Sequence, residues 1–251
     1  MNLPDNCRCV GIVGDGPTDR QVVERLVTCL LSDLGGEVLI FHYLDELTLH
    51  DDMDRFFRKA SKQSDYSLSD EPAQRLRSAA FDLLLTGVGM LQQRLDRSLS
   101  NLDVLVLHCD AESFLKSPDQ HFSEPWALAA VVSVHNGIEW FYHTQSEQYV
   151  PNECVPLIVP LVMFPSTEII VAAAKTPMGV SFRSRGKSAA DLKLDLYNEA
   201  DLRNLSKQEF EQLVLQHITV DACGSIYRHV PETRAFFRVL SWNRGCIPST
   251  G

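Results

Sequence analysis

Apolar and polar residues follow two kinds of pattern along this 251-residue chain. Short and nearly continuous apolar runs predict strands that are buried on both faces, as in a parallel sheet. These runs lie at residues 9–13, 37–44, 102–110 and 155–164. Segments with apolar residues every three or four positions predict helices. They lie at residues 17–31, 72–99, 127–134, 166–175, 189–200, 206–217 and 231–240.

The alternation of these elements predicts an α/β fold, a Rossmannoid core with a mainly parallel sheet flanked by helices. The last part of the chain, around residues 188–245, is predicted to be helical. Residues 45–71 are first acidic and then rich in serine, and they predict an inserted excursion. No internal repeat divides the sequence. We therefore expect residues 1–251 to form a single domain.

Composition and charge exclude several classes of protein. Hydrophobic residues make up 45% of the chain and charged residues 22%, which is typical of a globular protein rather than a disordered one. There are 33 acidic and 23 basic residues, so the net charge of −10 argues against a free-standing duplex-DNA binder. It leaves open an enzyme whose acidic residues surround metal ions.

The cysteines and the apolar segments indicate the cellular compartment in which the protein is expected. Seven cysteines are scattered without a CxxC pair, which favours reduced thiols over a disulfide framework or a zinc ribbon. The first residues do not have the pattern of a signal peptide, and the longest apolar runs are too short to span a bilayer. We expect a cytoplasmic protein that does not associate with membranes.

Acidic residues follow two of the predicted strands. Asp15 comes after the first strand, and Asp110 and Glu112 come after the strand at 102–109. Because sites form at the carboxyl ends of parallel strands, these carboxylates are expected to converge if the two strands are neighbours. Their mutual repulsion is relieved by a hard divalent cation, so we predict a Mg²⁺ or Mn²⁺ site and metal-assisted phosphoryl chemistry. His108, within the strand, is predicted to be a core histidine.

Three stretches of the chain resemble the TOPRIM (topoisomerase–primase) family. A strand leads into an acid followed by glycine and a helix, and a later strand ends in acid-x-acid. The stretches are Ile12-Val-Gly-Asp15-Gly16-Pro17-Thr18-Asp19-Arg20, Val162-Met-Phe-Pro-Ser-Thr-Glu168-Ile-Ile-Val-Ala-Ala and Tyr227-Arg-His-Val-Pro-Glu-Thr-Arg-Ala-Phe-Phe237. They are similar to small bacterial TOPRIM-like proteins, which are related to the nuclease domains of OLD-family proteins and occur in bacterial defence loci.

The resemblance implies a function and a set of site residues. Asp15 stands where the family has a glutamate that is a metal ligand or general acid/base. Asp110 and Glu112 stand for the acid-x-acid metal pair, and Glu168 is a further acidic site residue. The implied protein is a Mg²⁺-dependent nuclease or nuclease subunit, with a role in bacterial antiphage defence.

Two departures from the family pattern leave an alternative open. Asp15 is one methylene shorter than the family's glutamate, and Glu112 is one longer than the usual aspartate. The two changes either compensate each other or mark a degenerate site, in which case the protein is an interaction or regulatory subunit. A haloacid-dehalogenase-like phosphatase ranks lower. Gly14-Asp15-Gly16-x-x-Asp19 is similar to the magnesium loop of that class but comes first in the chain, without a DxDxT motif.

The basic residues that suit nucleic acid are few. We predict contacts from Arg20 and from the basic loop with Arg183, Arg185 and Lys187. Since affinity for nucleic acid comes mainly from neutralised phosphates, the net charge of −10 predicts weak binding by the isolated chain. Effective action would then need a partner protein or a homo-oligomer.

Overall fold

The computed structural model divides the chain into two compact units. Unit 1 comprises Met1–Asp15 and Glu37–Val162, and unit 2 comprises Gly16–Gly36 and Met163–Gly251. The residues that the structure describes are 7–14, 16–32, 38–60, 62, 67–100, 102–110, 124–148, 155–184, 187–198 and 205–242.

Four strands and nine α-helices are formed by these described residues. The strands are β1 (Cys7–Val13), β2 (Val38–Tyr43), β3 (Val104–Asp110) and β4 (Leu157–Met163). The helices are α1 (Pro17–Leu31), α2 (His50–Ala60), α3 (Glu71–Leu95), α4 (Glu124–Gln148), α5 (Glu168–Ala174), α6 (Ala189–Tyr197), α7 (Lys207–Leu213), α8 (Ala222–His229) and α9 (Thr233–Trp242). A short 3₁₀ helix, Leu215–His217, follows α7.

The strands form one parallel sheet in the order β2-β1-β3-β4. Apart from Met163 at the end of β4, its residues lie in unit 1. Every residue of β3 is buried, which explains the nearly continuous apolar run in that strand. The predicted α/β class, with its mainly parallel Rossmann-like sheet and helical C-terminal portion, is confirmed.

One buried aspartate, Asp103, connects three strands of unit 1 near their amino ends. Asp103 directly precedes β3 and has no exposed surface. Its Oδ1 accepts a hydrogen bond from the backbone N–H of Cys9 in β1, and its carbonyl accepts one from Leu157 in β4. The Arg97 guanidinium binds both carboxylate oxygens at 2.8 Å. The sheet is therefore fixed next to the start of β3.

The helices of unit 1 pack mainly against one another. Within the predicted excursion, residues 50–60 form α2, whose side chains Met53 and Phe56 are buried. The sequence predicts α4 only over residues 127–134, but the helix continues to Gln148. At Gly137 it crosses α3 so closely that a Cβ atom would lie 2.6 Å from the carbonyl oxygen of Arg77. A glycine is thus required for this packing.

Unit 2 is helical and is built from two distant parts of the sequence. Its helix α1 packs against α8, α9 and the 3₁₀ helix. Arg25 Nε and Cys29 Sγ on α1 donate hydrogen bonds to the carbonyl of Ile218, at 3.1 and 3.3 Å. Helix α8 is not among the predicted elements, and the hydroxyl of its Ser225 donates hydrogen bonds to the carbonyls of Ala173 and Thr176 at the end of α5. None of the helices in the described part of the chain is long and apolar enough to cross a membrane.

Candidate functional site

Asp110 is the last residue of β3 and is nearly buried, with 6% of its surface exposed. Alternate residues of a strand point to the same face, so His108 and Asp110 lie side by side. The Nε2 atom of His108 is 3.1 Å from Oδ1 of Asp110. His108 is fully buried, as expected of a core histidine, but it also holds the candidate catalytic carboxylate.

The position of Asp110 in the sheet is one at which α/β proteins bind ligands. In the order β2-β1-β3-β4, the chain direction across the sheet reverses between β1 and β3, and the carboxyl ends at such a switch point form a crevice. β1 and β3 are neighbours, with Val13 paired to Leu107. Asp15 and Glu112 lie outside the described residues. Asp110 is therefore the one member of the predicted carboxylate trio that lies in the described part of the chain.

Glu168 is the first residue of α5 and belongs to a cluster within unit 2. Its side chain is buried, and its Oε1 lies 3.8 Å from Nζ of Lys193 on α6. Asp19, in the first turn of α1, acts electrostatically on both Glu168 and Tyr197. We call Asp19, Glu168, Lys193 and Tyr197 the acidic cluster.

Burial and neighbouring carboxylates shift the pKa values of two residues in the acidic cluster. Burial raises the pKa of Glu168 above its usual value, and the Asp19 carboxylate adds to this, whereas Lys193 acts in the opposite direction. Burial also raises the pKa of the Tyr197 hydroxyl, and both carboxylates reinforce the shift. Tyr197 thus stays protonated at neutral pH and remains a hydrogen-bond donor, while the charge of Glu168 is only partly compensated.

Whether these residues suit a metal ion depends on the oxygen atoms that they leave available. The Oε2 atom of Glu168 is buried and has no hydrogen-bond partner in the described part of the chain. A hard cation is a natural partner for such an oxygen. In those same ranges no three His, Cys, Asp or Glu side chains are grouped closely enough to hold a metal. The described residues therefore fit part of a metal site.

The predicted nucleic-acid contacts all belong to unit 2. Arg20 lies in the first turn of α1 and is half-buried, and Arg183 is exposed. Lys187 forms an ion pair with Asp195 of α6, so its charge is already neutralised within the unit. Arg185 lies outside the described residues. Of the four, Arg183 presents an exposed side chain.

Sequence reasoning missed Lys193 and Tyr197, and it named Asp19 only within the family motif and the lower-ranked phosphatase loop. Lys193 and Tyr197 are four residues apart on α6, so they share a face of that helix. That spacing is the local signal available, and it gives no indication that the face meets Glu168. Comparison with protein-family models, curated proteins and solved structures finds no match to this chain.

Proposed function

We propose that this protein is a Mg²⁺-dependent TOPRIM-like nuclease, or a subunit of one, that cleaves phosphodiester bonds of nucleic acid. The observation that carries the proposal is the buried carboxylate of Glu168. The negative charge of Asp19 acts on this carboxylate, and one of its oxygens has no hydrogen-bond partner among the described residues. The positive charge of Lys193 balances it only in part. Such an arrangement costs stability unless a cation binds.

We propose Asp15, Asp110 and Glu112 as ligands of Mg²⁺ or Mn²⁺ in unit 1, and Glu168 as a ligand in unit 2. When bound, the ion supplies positive charge that offsets the carboxylates and polarises the phosphodiester. The protein contributes the orientation of the ligands. The Nε2 atom of His108 fixes Oδ1 of Asp110 at 3.1 Å. His108 is thus a positioning residue in the proposal.

Two further side chains of the acidic cluster have roles in this proposal. The ammonium group of Lys193 lies beside Glu168 and offers a positive charge to a phosphate oxygen. The hydroxyl of Tyr197, whose pKa is raised even above the usual value for tyrosine, can donate a hydrogen bond to the substrate or to a leaving oxygen. Both are parts of the site that the family resemblance alone did not assign.

The same proposal includes a partner. Because the chain has a net charge of −10, we propose that a partner protein or a second copy brings nucleic acid to the site, and that the protein acts in bacterial antiphage defence.

The test is a cleavage assay with labelled single- and double-stranded DNA and RNA in Mg²⁺ or Mn²⁺, with EDTA as the blank. We expect D110N and E168Q to reduce cleavage by about 100-fold or more, since even outer partners of metal ligands typically contribute ~10–100-fold. The matched controls are D82N on α3 and E211Q on α7, which change exposed carboxylates. Loss of activity in the controls as well would count against these assignments.

A complete absence of cleavage would refute the nuclease proposal. If the wild-type protein cleaves none of these substrates in either ion, both alone and after purification with its bound partners, the nuclease proposal is wrong. The protein is then the catalytically degenerate interaction subunit that the departures at Asp15 and Glu112 leave open.

A further inference from the structure

Charge is distributed very unevenly between the two units. Unit 1 contains 10 Lys and Arg residues against 21 Asp and Glu residues. Unit 2 contains 13 against 12. Unit 1 therefore accounts for the whole negative charge of the chain, and unit 2 is close to neutral. An anionic ligand would be repelled by the first and not by the second.

The cations of unit 1 are also occupied by its own carboxylates. In the part of the chain that the structure describes, at least six of its ten basic residues form ion pairs within the unit. These pairs are Arg55–Asp52, Arg58–Asp54, Lys59–Glu71, Arg75–Glu71, Arg94–Glu46 and Arg97–Asp103. Few positive charges of unit 1 remain for a phosphate.

Three exposed cations of unit 2 differ from the ion-paired cations of unit 1. Lys175 follows the last residue of α5, Arg183 lies in the loop after it, and Arg228 is in the last turn of α8. None of them forms an ion pair with an Asp or Glu in the described ranges. Their charges are available to an external anion.

Contacts inside unit 2 bring these cations together. The ring of Phe182 stacks on that of His229 at 5.1 Å and 26°, which places the neighbouring Arg183 and Arg228 on adjoining segments. The hydroxyl of Ser225, one turn before Arg228, donates to the carbonyls of Ala173 and Thr176 at the end of α5.

The resulting surface combines charge with aromatic rings. We call Lys175, Phe182, Arg183, Arg228 and His229 the cationic surface. Burial lowers the pKa of His229, and Arg228 lowers it further. Its imidazole is therefore neutral at neutral pH and contributes a ring rather than a charge.

We propose that the cationic surface binds a single strand of nucleic acid, with its cations on the phosphates and the Phe182–His229 pair as a platform for a base. A single strand is favoured over a duplex because only unstacked bases can reach an aromatic ring. This inference rests on the proposed function, since it identifies how the substrate strand is held.

The cationic surface is connected to the acidic cluster through α5. This helix has Glu168 at its first residue and Lys175 just after its last, which separates them by about 10 Å at 1.5 Å per residue. The Nζ atom of Lys175 also lies 5.8 Å from the centre of the Tyr197 ring. A strand bound by Lys175 therefore lies within a few nucleotides of Glu168.

The experiment is a fluorescence-anisotropy titration in EDTA of the full-length protein with a labelled DNA or RNA strand of about 20 nucleotides, longer than a typical single-strand site. We expect binding at about 0.05 M salt and about tenfold weaker binding by the double variant R183Q/R228Q. The slope of log K against log salt should shrink by about 1.4, because each single-strand phosphate contact contributes about 0.7. F182L should weaken binding without changing this slope.

The matched control is R55Q/R75Q, which removes two exposed charges from unit 1. It should leave both the affinity and the salt slope unchanged. Equal effects of the two double variants would mean that only net charge matters and would overturn the inference. So would failure of the wild-type protein to bind any single strand at low salt, or tighter binding to a duplex of the same length.

Because the titration contains no metal, its outcome is independent of cleavage. If the double variant loses binding but no nuclease activity exists, the cationic surface stands and the proposed function fails. If the wild-type protein cleaves its substrate and the double variant binds normally, the cationic surface fails alone.

Discussion

Removing Arg97 should destabilise the sheet to which Asp110 belongs. The Asp103 carboxylate is completely buried and accepts hydrogen bonds from Arg97 at two oxygens, from the backbone N–H groups of Cys9 and Ser100, and from the Ser100 hydroxyl. In R97A the three other donors remain, but the buried negative charge loses its counter-charge. The perturbation is therefore electrostatic, with the backbone bonds left in place.

The size of the effect follows from burial. Breaking a buried ion pair by removing one partner costs about 3–5 kcal/mol. About a third of the Arg97 side chain is exposed and three hydrogen bonds to Asp103 persist, so the low end of that range, about 3 kcal/mol, applies. For a chain of this size each kcal/mol lowers the melting temperature by about 2–4 °C, so R97A should melt ~6–12 °C lower.

Differential scanning calorimetry at neutral pH measures this shift. The control is R75A, which removes a solvent-exposed ion pair to Glu71 of small effect on stability, and should melt within ~2 °C of the wild-type protein. If R97A melts no lower than R75A, Asp103 is not held by the Arg97 charge and the reasoning is refuted.

Three further predictions concern charge and packing. Burial raises the pKa of Asp103, but the hydrogen bonds from Arg97 and the backbone outweigh burial and leave the pKa lowered. The stabilisation that this carboxylate provides should therefore be complete above about pH 4 and be lost as the pH falls through the lowered pKa. Acid titration of the wild-type protein against D103N measures the difference. The pKa of Glu168 is shifted the other way, so stability should fall as the pH rises from about 4 through this raised pKa. Without metal, E168Q should therefore melt higher than the wild-type protein at neutral pH, and Mg²⁺ should raise its melting temperature less. Equal gains in both proteins would contradict a metal site there. G137A should cost about 1–3 kcal/mol, because its methyl group meets the carbonyl of Arg77 at 2.6 Å, whereas G89A, with nothing within 4 Å, should be neutral or stabilising in a thermal melt.

The sequence predicts the strands well because a parallel sheet buried on both faces leaves a local mark. Every position of β3 is buried, so a run of apolar residues identifies it without reference to the rest of the chain. The order of the strands is less accessible. The adjacency of β1 and β3 depends on long-range pairing, so before the structure it was only a condition of the predicted site.

Two helices escaped prediction for different physical reasons. Around α2 the acidic residues hide a short apolar stripe, in which Met53 and Phe56 supply the buried side chains. In α8 the buried position next to Ile226 is a serine, whose hydroxyl bonds two carbonyls at the end of α5. A polar residue that is satisfied by a distant backbone interrupts the apolar periodicity on which the prediction depends.

The candidate site was only partly accessible for a similar reason. Asp110 ends a strand and Glu168 begins a helix, so the local sequence pattern indicates both of them. The partnership of Lys193 with Glu168 joins α6 to α5 through a tertiary contact that no spacing indicates. His108 shows the same limit, since a buried histidine two residues before an aspartate can equally be an inert core residue.

The division of unit 2 between residues 16–36 and 163–251 has a consequence for how the protein matures on the ribosome. Helix α1 is synthesised early, yet Arg25 and Cys29 find their acceptor at Ile218 only when the last third of the chain has emerged. Asp19 and Glu168 likewise come from the two segments. Contacts of such high sequence separation form late and slowly. A nascent or truncated chain that ends before α5 therefore contains the sheet but not the acidic cluster, so the cluster is assembled only as translation nears completion.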